Sequence, residues 1–133
     1  MAAFTDAQTD AINAQGGSVL VSAAAGSGKT TVLIERIIRM ITRRENPIDV
    51  DRLLIVTFTR AAASEMKERL AKAINSLLEN DPYNSLLLRQ RQLMYNTSIC
   101  TIDSFCGSVV REYFHILGVQ KDFRLADENE IKV

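Results

Sequence analysis

The sequence contains no tryptophan, a single histidine and only two cysteines, Cys100 and Cys106. Two cysteines are too few for the disulfide framework of a small secreted domain, and both lie in apolar stretches where a buried, reduced thiol is expected. The formal net charge is zero as well, because 16 basic residues balance 16 acidic ones. No overall positive field therefore indicates nucleic acid, and any such contact must come from a local surface or from backbone groups.

Long apolar runs are also absent. No run is long enough to span a membrane, and the first residues, MAAFTDAQTD, lack the basic and apolar regions of a secretory signal. We therefore expect a cytoplasmic protein with no membrane partner. The 133 residues, 47% of them hydrophobic, suffice for one modest core.

Short apolar runs alternate with helical periodicities along the chain. The runs 18–22, 53–57 and 98–102 predict strands, and their continuous apolar character favours a parallel sheet covered on both faces. The order of the elements is that of an α/β protein. Helices are predicted from Thr5 to Gly16-Gly17, from the glycine-containing stretch after residue 22 to about Arg43, over about 60–79, from Asp81-Pro82 to about Tyr95, and along an apolar face from Cys106 to Leu117 that ends at Gly118.

Capping residues predict where several helices begin. Thr5 and Gln8 have the spacing of a capping box, and Asp81-Pro82 has the form of an N-cap followed by a proline at the first helical position. Asp127 and Glu130 look like the start of one more helix, close to the last residue. We therefore expect the sequence to be a fragment.

The stretch AAAGSGKT, residues 23–30, matches the phosphate-binding pattern G-x-x-x-x-G-K-[ST] with alanine in the first glycine's place. Gly26 and Gly28 allow backbone angles that aim N–H groups at a phosphate, Lys29 adds a charge at the β- and γ-phosphates, and the Thr30 hydroxyl is a ligand for Mg²⁺. The strand predicted before it and the helix after it favour this interpretation over an incidental glycine-rich turn. The candidate phosphate-binding residues are Ala23, Ala24, Ala25, Gly26, Ser27, Gly28, Lys29, Thr30 and Thr31.

Four segments in this order resemble the first motifs of the superfamily 1 DNA helicases of the UvrD type: FTDAQTDAI (4–12), AAAGSGKT (23–30), TFTRAAASEMKERL (57–70) and TIDSFC (101–106). The sequence is most similar to the AddA and RecB-like branch of helicase–nuclease subunits, and FRLADENEI (123–131) extends the similarity. The resemblance implies a RecA-like P-loop domain 1A with a parallel sheet flanked by helices. It also implies ATP and Mg²⁺ as cofactors and single-stranded DNA as a partner.

The resemblance assigns roles to residues outside the phosphate-binding stretch. Gln8 matches the glutamine that reads adenine, although the capping box with Thr5 is a second reason for a glutamine there. Thr57, Phe58 and Thr59 match residues that meet single-stranded DNA. For Phe58, packing in the core is an equally good expectation.

Two further residues are candidates for DNA phosphates, Arg60 and Ser104. An exposed arginine at a helix start is also ordinary, so Arg60 has a purely structural alternative. Many relatives carry histidine where Asp103 stands, and a carboxylate would repel a phosphate. Asp103 is therefore expected to be an N-cap of the following helix.

The resemblance also implies what residues 1–133 omit. The Walker B carboxylates, an arginine finger and nuclease carboxylates lie further along in such proteins, together with the strands in the middle of the sheet. We therefore expect half of an ATP site, a partner subunit for the parent protein, and an exposed apolar sheet face or edge that favours self-association. Two alternatives stay open, a small-molecule kinase and a nucleotide-sensing module without turnover.

Overall fold

The computed structural model describes residues 4–24, 26–120 and 122–124. Six α-helices and two strands are formed within these residues. They are, in chain order, α1 (Asp6–Asn13), α2 (Lys29–Thr42), β1 (Leu54–Thr57), α3 (Arg60–Asn80), α4 (Ser85–Leu93), β2 (Ser98–Thr101), α5 (Ile102–Glu112) and α6 (Phe114–Leu117), with 3₁₀ turns at Val50–Arg52 and Met94–Asn96.

The two strands pair in parallel, with Ile55 opposite Ile99 and Thr57 opposite Thr101. The long helix α3 belongs to the connection between the two strands and packs against both of them. Residues spaced three and four apart on α3 face the core, which explains why this helix buries one continuous stripe. The core combines that stripe with residues of α2, β1 and α4: Ile37, Ile38, Ile41, Val50, Ile55, Met66, Leu70, Ile74, Leu78, Leu87 and Met94. The α/β class and the parallel pairing predicted from the sequence are confirmed.

The strand predicted at 18–22 is wrong. In the structure these residues form no strand, and all five are exposed. A strand requires a neighbour that accepts and donates its backbone hydrogen bonds. Within the described residues the sheet consists of β1 and β2 alone, and neither pairs with this segment.

The expectation that both sheet faces are covered is also wrong. Ile55 packs on α3, but Leu54 and Val56, which point to the opposite face, are 48% and 47% exposed. The apolar face predicted between Cys106 and Leu117 is likewise largely solvent-exposed, and that helix is interrupted at Tyr113 into α5 and α6. The described residues thus leave an apolar sheet face open.

The residues that cap α1 and α4 agree only in part with those predicted from the sequence. Thr5 and Gln8 form the complete capping box, so that prediction is confirmed. Asp81-Pro82 does not start α4, because Asn84 is its N-cap and accepts the Leu87 N–H. The turn that precedes α4 is held by Asn84, whose Nδ2 donates to Asp81 Oδ2 at 3.0 Å.

Asp103 is not the N-cap of α5 either. That position belongs to Thr101, whose hydroxyl accepts the Ser104 N–H, and Asp103 lies in the first turn, where its charge suits the helix dipole. Gly118 does end the helical segment, in the left-handed conformation, as predicted. The helix start predicted at Asp127 and Glu130 lies outside the described residues.

A buried amide joins α2, α4 and the connector between α2 and β1. Gln90 is fully buried, its Oε1 accepts the Val50 N–H at 2.9 Å, and its Nε2 donates to the carbonyls of Ile41 and Ile48, each at 3.3 Å. Backbone groups of an irregular segment need partners of this kind when they are buried. The connector is therefore fixed to the helical layer by one side chain.

Candidate functional site

The glycine loop, residues 23–30, leads directly into α2. Gly28 is the N-cap of this helix at φ 82° and ψ 17°, a left-handed conformation that strongly favours glycine. No side chain caps this helix, so the first-turn N–H groups of Lys29, Thr30 and Thr31 keep their hydrogen-bonding capacity. Uncapped N–H groups at the positive end of a helix are suited to bind an anion such as a phosphate.

The Lys29 ammonium folds back over this loop. Its Nζ donates to the carbonyl oxygens of Ala23 and Ala24, at 2.7 and 2.6 Å. An ammonium group has three N–H donors, so one remains for another acceptor. The geometry places a positive charge beside the uncapped start of α2, where it can add to the attraction for an anion. Ala25, also predicted to contribute, lies outside the described residues.

The Gln8 side chain connects α1 to the glycine loop. Its Oε1 accepts the Thr5 N–H at 2.9 Å, and its Nε2 donates to the Ser27 carbonyl oxygen at 3.1 Å. The amide therefore fills its structural role in the capping box and also holds the loop. A primary amide has two N–H donors and two acceptor lone pairs. One donor and one lone pair stay available, which is what a paired contact with an adenine edge requires.

A cavity of about 340 Å³ lies between α1 and the glycine loop. We call it the loop cleft, and its lining includes Gln8, Ser27 and Lys29 together with apolar Val21 and Val32. The combination of an apolar wall with a few polar groups is typical of small-ligand sites. Thr30 and Thr31 are exposed at the start of α2 and are not part of this lining.

The candidate DNA contacts follow the carboxyl end of β1. Phe58 is 90% exposed, so the expectation of core packing is wrong for this residue. The Thr59 hydroxyl caps α3 by accepting the Ala62 N–H at 3.1 Å, and its own O–H remains a donor. The Thr57 hydroxyl is engaged inside the protein, since it donates to the Thr59 carbonyl oxygen at 2.9 Å. Thr57 therefore supports the turn, whereas Phe58 and Thr59 present groups to solvent.

Arg60 and Ser104 line one cavity of about 310 Å³ at the carboxyl ends of the two strands. We call it the strand-end cavity. Ser104 Oγ accepts a hydrogen bond from the buried Thr101 hydroxyl at 2.8 Å, which leaves the Ser104 O–H as a free donor. The structure thus brings together two residues that are 44 positions apart in the sequence. The strand-end cavity shares no residue with the loop cleft.

Two residues of this cavity were missed by sequence reasoning, Ser64 and Lys67. They follow Arg60 on α3 at spacings of four and three, which places all three on one side of the helix. That periodicity is the signal that could have found them.

No helix among the described residues meets the length and hydropathy needed to cross a bilayer.

The family model of the UvrD/REP helicase N-terminal domain matches residues 4–133. The chain is 53% identical over 128 residues to the A subunit of the ATP-dependent helicase/nuclease of Anoxybacillus flavithermus, covering 96% of this chain and 11% of that protein. It is 54% identical over 127 residues to the protein of the same name from Clostridium novyi, covering 96% of this chain and 10% of the relative. The corresponding protein of Acetivibrio thermocellus is 52% identical over 130 residues, which is 98% of this chain and 10% of the relative. The chain therefore spans about a tenth of the length of these relatives. With the glycine loop and nearly every residue matched by one family model, the chain belongs to the UvrD/REP helicase family.

Proposed function

We propose that this chain is the ATP-binding part of RecA-like domain 1A of an ATP-dependent DNA helicase/nuclease. The proposed parent protein translocates on single-stranded DNA in double-strand break repair and recombination, in the cytoplasm and with a second helicase–nuclease subunit. Support comes from the name shared by relatives that are 51–54% identical along almost all of this chain. The observation that carries the proposal is the uncapped α2 start at Gly28 with the Lys29 ammonium folded beside it.

On the nucleotide side, each group of the site has a fitting chemical role. The first-turn N–H groups of α2 and the Lys29 ammonium would hold the phosphates, and Gln8 would read adenine with its remaining donor and acceptor. The exposed Thr30 hydroxyl would be the protein's ligand for Mg²⁺. Bound Mg²⁺ would neutralise charge on the β- and γ-phosphate oxygens.

On the DNA side, the carboxyl end of the sheet offers stacking and hydrogen-bonding groups. Phe58 presents an exposed ring for a base, and the Thr59 and Ser104 hydroxyls present donors for phosphate oxygens. The Arg60 guanidinium adds positive charge at the same edge. Thr57 contributes indirectly in this scheme, because its hydroxyl holds the turn that carries Phe58.

Hydrolysis needs a Walker B carboxylate pair and an arginine finger in addition to a phosphate-binding loop. We propose that other parts of the parent protein supply these groups and the nuclease carboxylates. The chain by itself should then bind nucleotide without turnover. The two alternatives, a small-molecule kinase and a nucleotide sensor, receive no support from the family match or from the relatives' names.

The experiment is Lys29→Ala in the full-length protein, assayed for ATP hydrolysis with and without single-stranded DNA. We expect the DNA-stimulated rate to fall by about 100-fold or more, because the variant lacks the ammonium group that would contact the β- and γ-phosphates. The matched control is Lys72→Ala, an exposed lysine of α3 outside the loop cleft. Unchanged DNA-dependent hydrolysis in the Lys29 variant would falsify the role of the loop. A kinase would show no effect of DNA on the unaltered protein, and a sensor would show no turnover.

A further inference from the structure

The strand-end cavity and a second, larger cavity have one lining residue in common. The second cavity, of about 580 Å³, lies between α3 and the α4 end, and Lys67 lines both. The two therefore adjoin at this lysine. Together they form a groove that starts at the carboxyl end of the sheet and follows α3 to the 3₁₀ turn at Met94–Asn96. The polar, charged and aromatic residues of its lining include Arg60, Ser64, Lys67, Asn75, Arg91 and Tyr95.

Positively charged side chains line this groove. Arg60, Lys67 and Arg91 line it, and no carboxylate lines either of the two cavities. Within the described residues, none of these three cations has a side-chain hydrogen bond or an ion pair, in contrast to Arg69 and Arg89. In a protein with no net charge, three unpaired cations along one groove make a local positive surface.

The groove also has the other groups that single-stranded nucleic acid uses. Ser64 and Asn75 supply neutral hydrogen-bonding groups, and Tyr95, which lines the far end, is 88% exposed. Phe58, two residues before Arg60, is 90% exposed. Rings of this kind are platforms for bases, while a cationic groove follows the phosphates.

We propose that a single DNA strand continues from the Phe58 loop along this groove, with its phosphates on Lys67 and Arg91 and a base stacked on Tyr95. The inference rests on the proposed function and extends it by a second DNA-binding segment. Along α3, Arg60 and Asn75 are about 22 Å apart at 1.5 Å per residue. That length holds about six to seven nucleotides at the 3.4 Å rise of a stacked strand.

The test measures binding of fluorescein-labelled oligothymidylate to the nucleotide-free, full-length protein as a function of salt. Lys67→Ala and Arg91→Ala should each lower the slope of log affinity against log salt by about 0.7, and the double variant by about 1.4. A slope of about 0.7 per contact means that each contact raises the affinity about fivefold when the salt concentration falls from 1 M to 0.1 M. The matched control is again Lys72→Ala, which removes the same charge from α3 but lines neither cavity. An equal loss in this control would overturn the groove.

A second pair of variants tests the stacking platform. Tyr95→Leu should weaken binding about fivefold or more, whereas Tyr95→Phe keeps the ring and should retain affinity. Equal losses in both variants, or none in either, contradict stacking at Tyr95. In addition, Glu68 accepts a hydrogen bond from Ser64 at 3.4 Å, so Glu68→Gln should tighten binding by removing a nearby negative charge. Weaker binding in that variant counts against a phosphate path beside Ser64.

Phe58→Ala separates this inference from the proposed function. If Phe58→Ala weakens binding while the Lys67, Arg91 and Tyr95 variants do not, DNA binding stands and the groove is refuted. If none of these variants has an effect, the DNA-binding role proposed for the strand ends fails as well.

Discussion

Gln8 Nε2 donates to the Ser27 carbonyl oxygen at 3.1 Å, so a single side chain of α1 holds the glycine loop across 19 positions of sequence. A Cβ placed on Gly28 would lie only 3.4 Å from the same Nε2 atom. The amide therefore lies against the backbone at the point where α2 begins.

Gln8→Ala tests the proposed role of this residue in reading adenine. We expect a higher KM for ATP and a smaller preference for ATP over GTP in the full-length protein, because the remaining donor and acceptor of the amide are lost. Steady-state hydrolysis with both nucleotides measures this change.

Thr5→Ala is the matched control, since it removes the hydroxyl that accepts the Gln8 N–H but leaves the Gln8 amide in place. It should cost about 1 kcal/mol of stability and keep the preference for ATP. If both variants change nucleotide preference equally, the effect comes from the helix start and the adenine role of Gln8 is refuted.

Local signals in the sequence were sufficient for several elements. The Thr5 and Gln8 capping box needs only residues three apart, and the stripe of α3 needs only helical periodicity, so both could be predicted without the fold. The N-cap of α5 was misjudged because a threonine two residues before Asp103 offers the same chemistry. Competing caps in adjacent positions cannot be ranked by residue type alone.

Non-local features were the ones that sequence reasoning missed. The segment 18–22 has the composition of a strand, but its state depends on a pairing neighbour elsewhere in the chain. The strand-end cavity is a second non-local feature, because its lining comes from α3, β2 and the start of α5, which are far apart in the sequence. Lys67 follows Arg60 at a helical spacing, so the sequence places both on one side of α3. No local feature of the sequence indicates that β2 lies beside them.

Gln90→Leu tests the buried amide that holds the connector. Leucine has a similar volume but leaves the Val50 N–H and the Ile41 and Ile48 carbonyls without this partner. Because each of these three unsatisfied buried groups costs about 1–3 kcal/mol, we expect the free energy of unfolding to fall by about 3 kcal/mol or more. Urea unfolding of the 133-residue chain, followed by circular dichroism, measures it.

Gln92→Leu on the exposed part of the same helix is the control and should change stability by less than about 0.5 kcal/mol. Similar unfolding free energies for the two variants would show that the amide of Gln90 contributes only volume.

The Asp49–Arg89 pair predicts how stability depends on pH. Arg89 donates to both carboxylate oxygens, at 2.9 and 2.7 Å, and this hydrogen bonding lowers the pKa of Asp49 below its usual value of 3.8. A lowered pKa in the folded state stabilises the protein above the usual carboxyl range, and this contribution is lost as pH falls through the folded pKa. Asp49→Asn should therefore flatten the acid limb of the stability curve.

Urea unfolding at a series of acidic pH values checks this prediction, with Arg89→Leu as the partner variant. Both variants remove the same interaction, so the double variant should show no further flattening. An acid limb as steep in Asp49→Asn as in the unaltered chain would rule out a contribution from this pair.

The open face of the sheet predicts self-association of the isolated chain. Leu54 and Val56 are each about half exposed on β1, and each strand of a two-stranded sheet has a free edge as well. Leu54→Thr with Val56→Thr places β-branched, strand-compatible residues at both positions while removing apolar area, so it should shift the chain toward monomer. Sedimentation velocity over a range of concentrations measures this shift. Ile116→Thr is the matched control, because Ile116 is 70% exposed but lies on α6 rather than on the sheet. If the unaltered chain stays monomeric at the highest concentrations, or if the control dissociates it equally, the sheet face is not the surface of association.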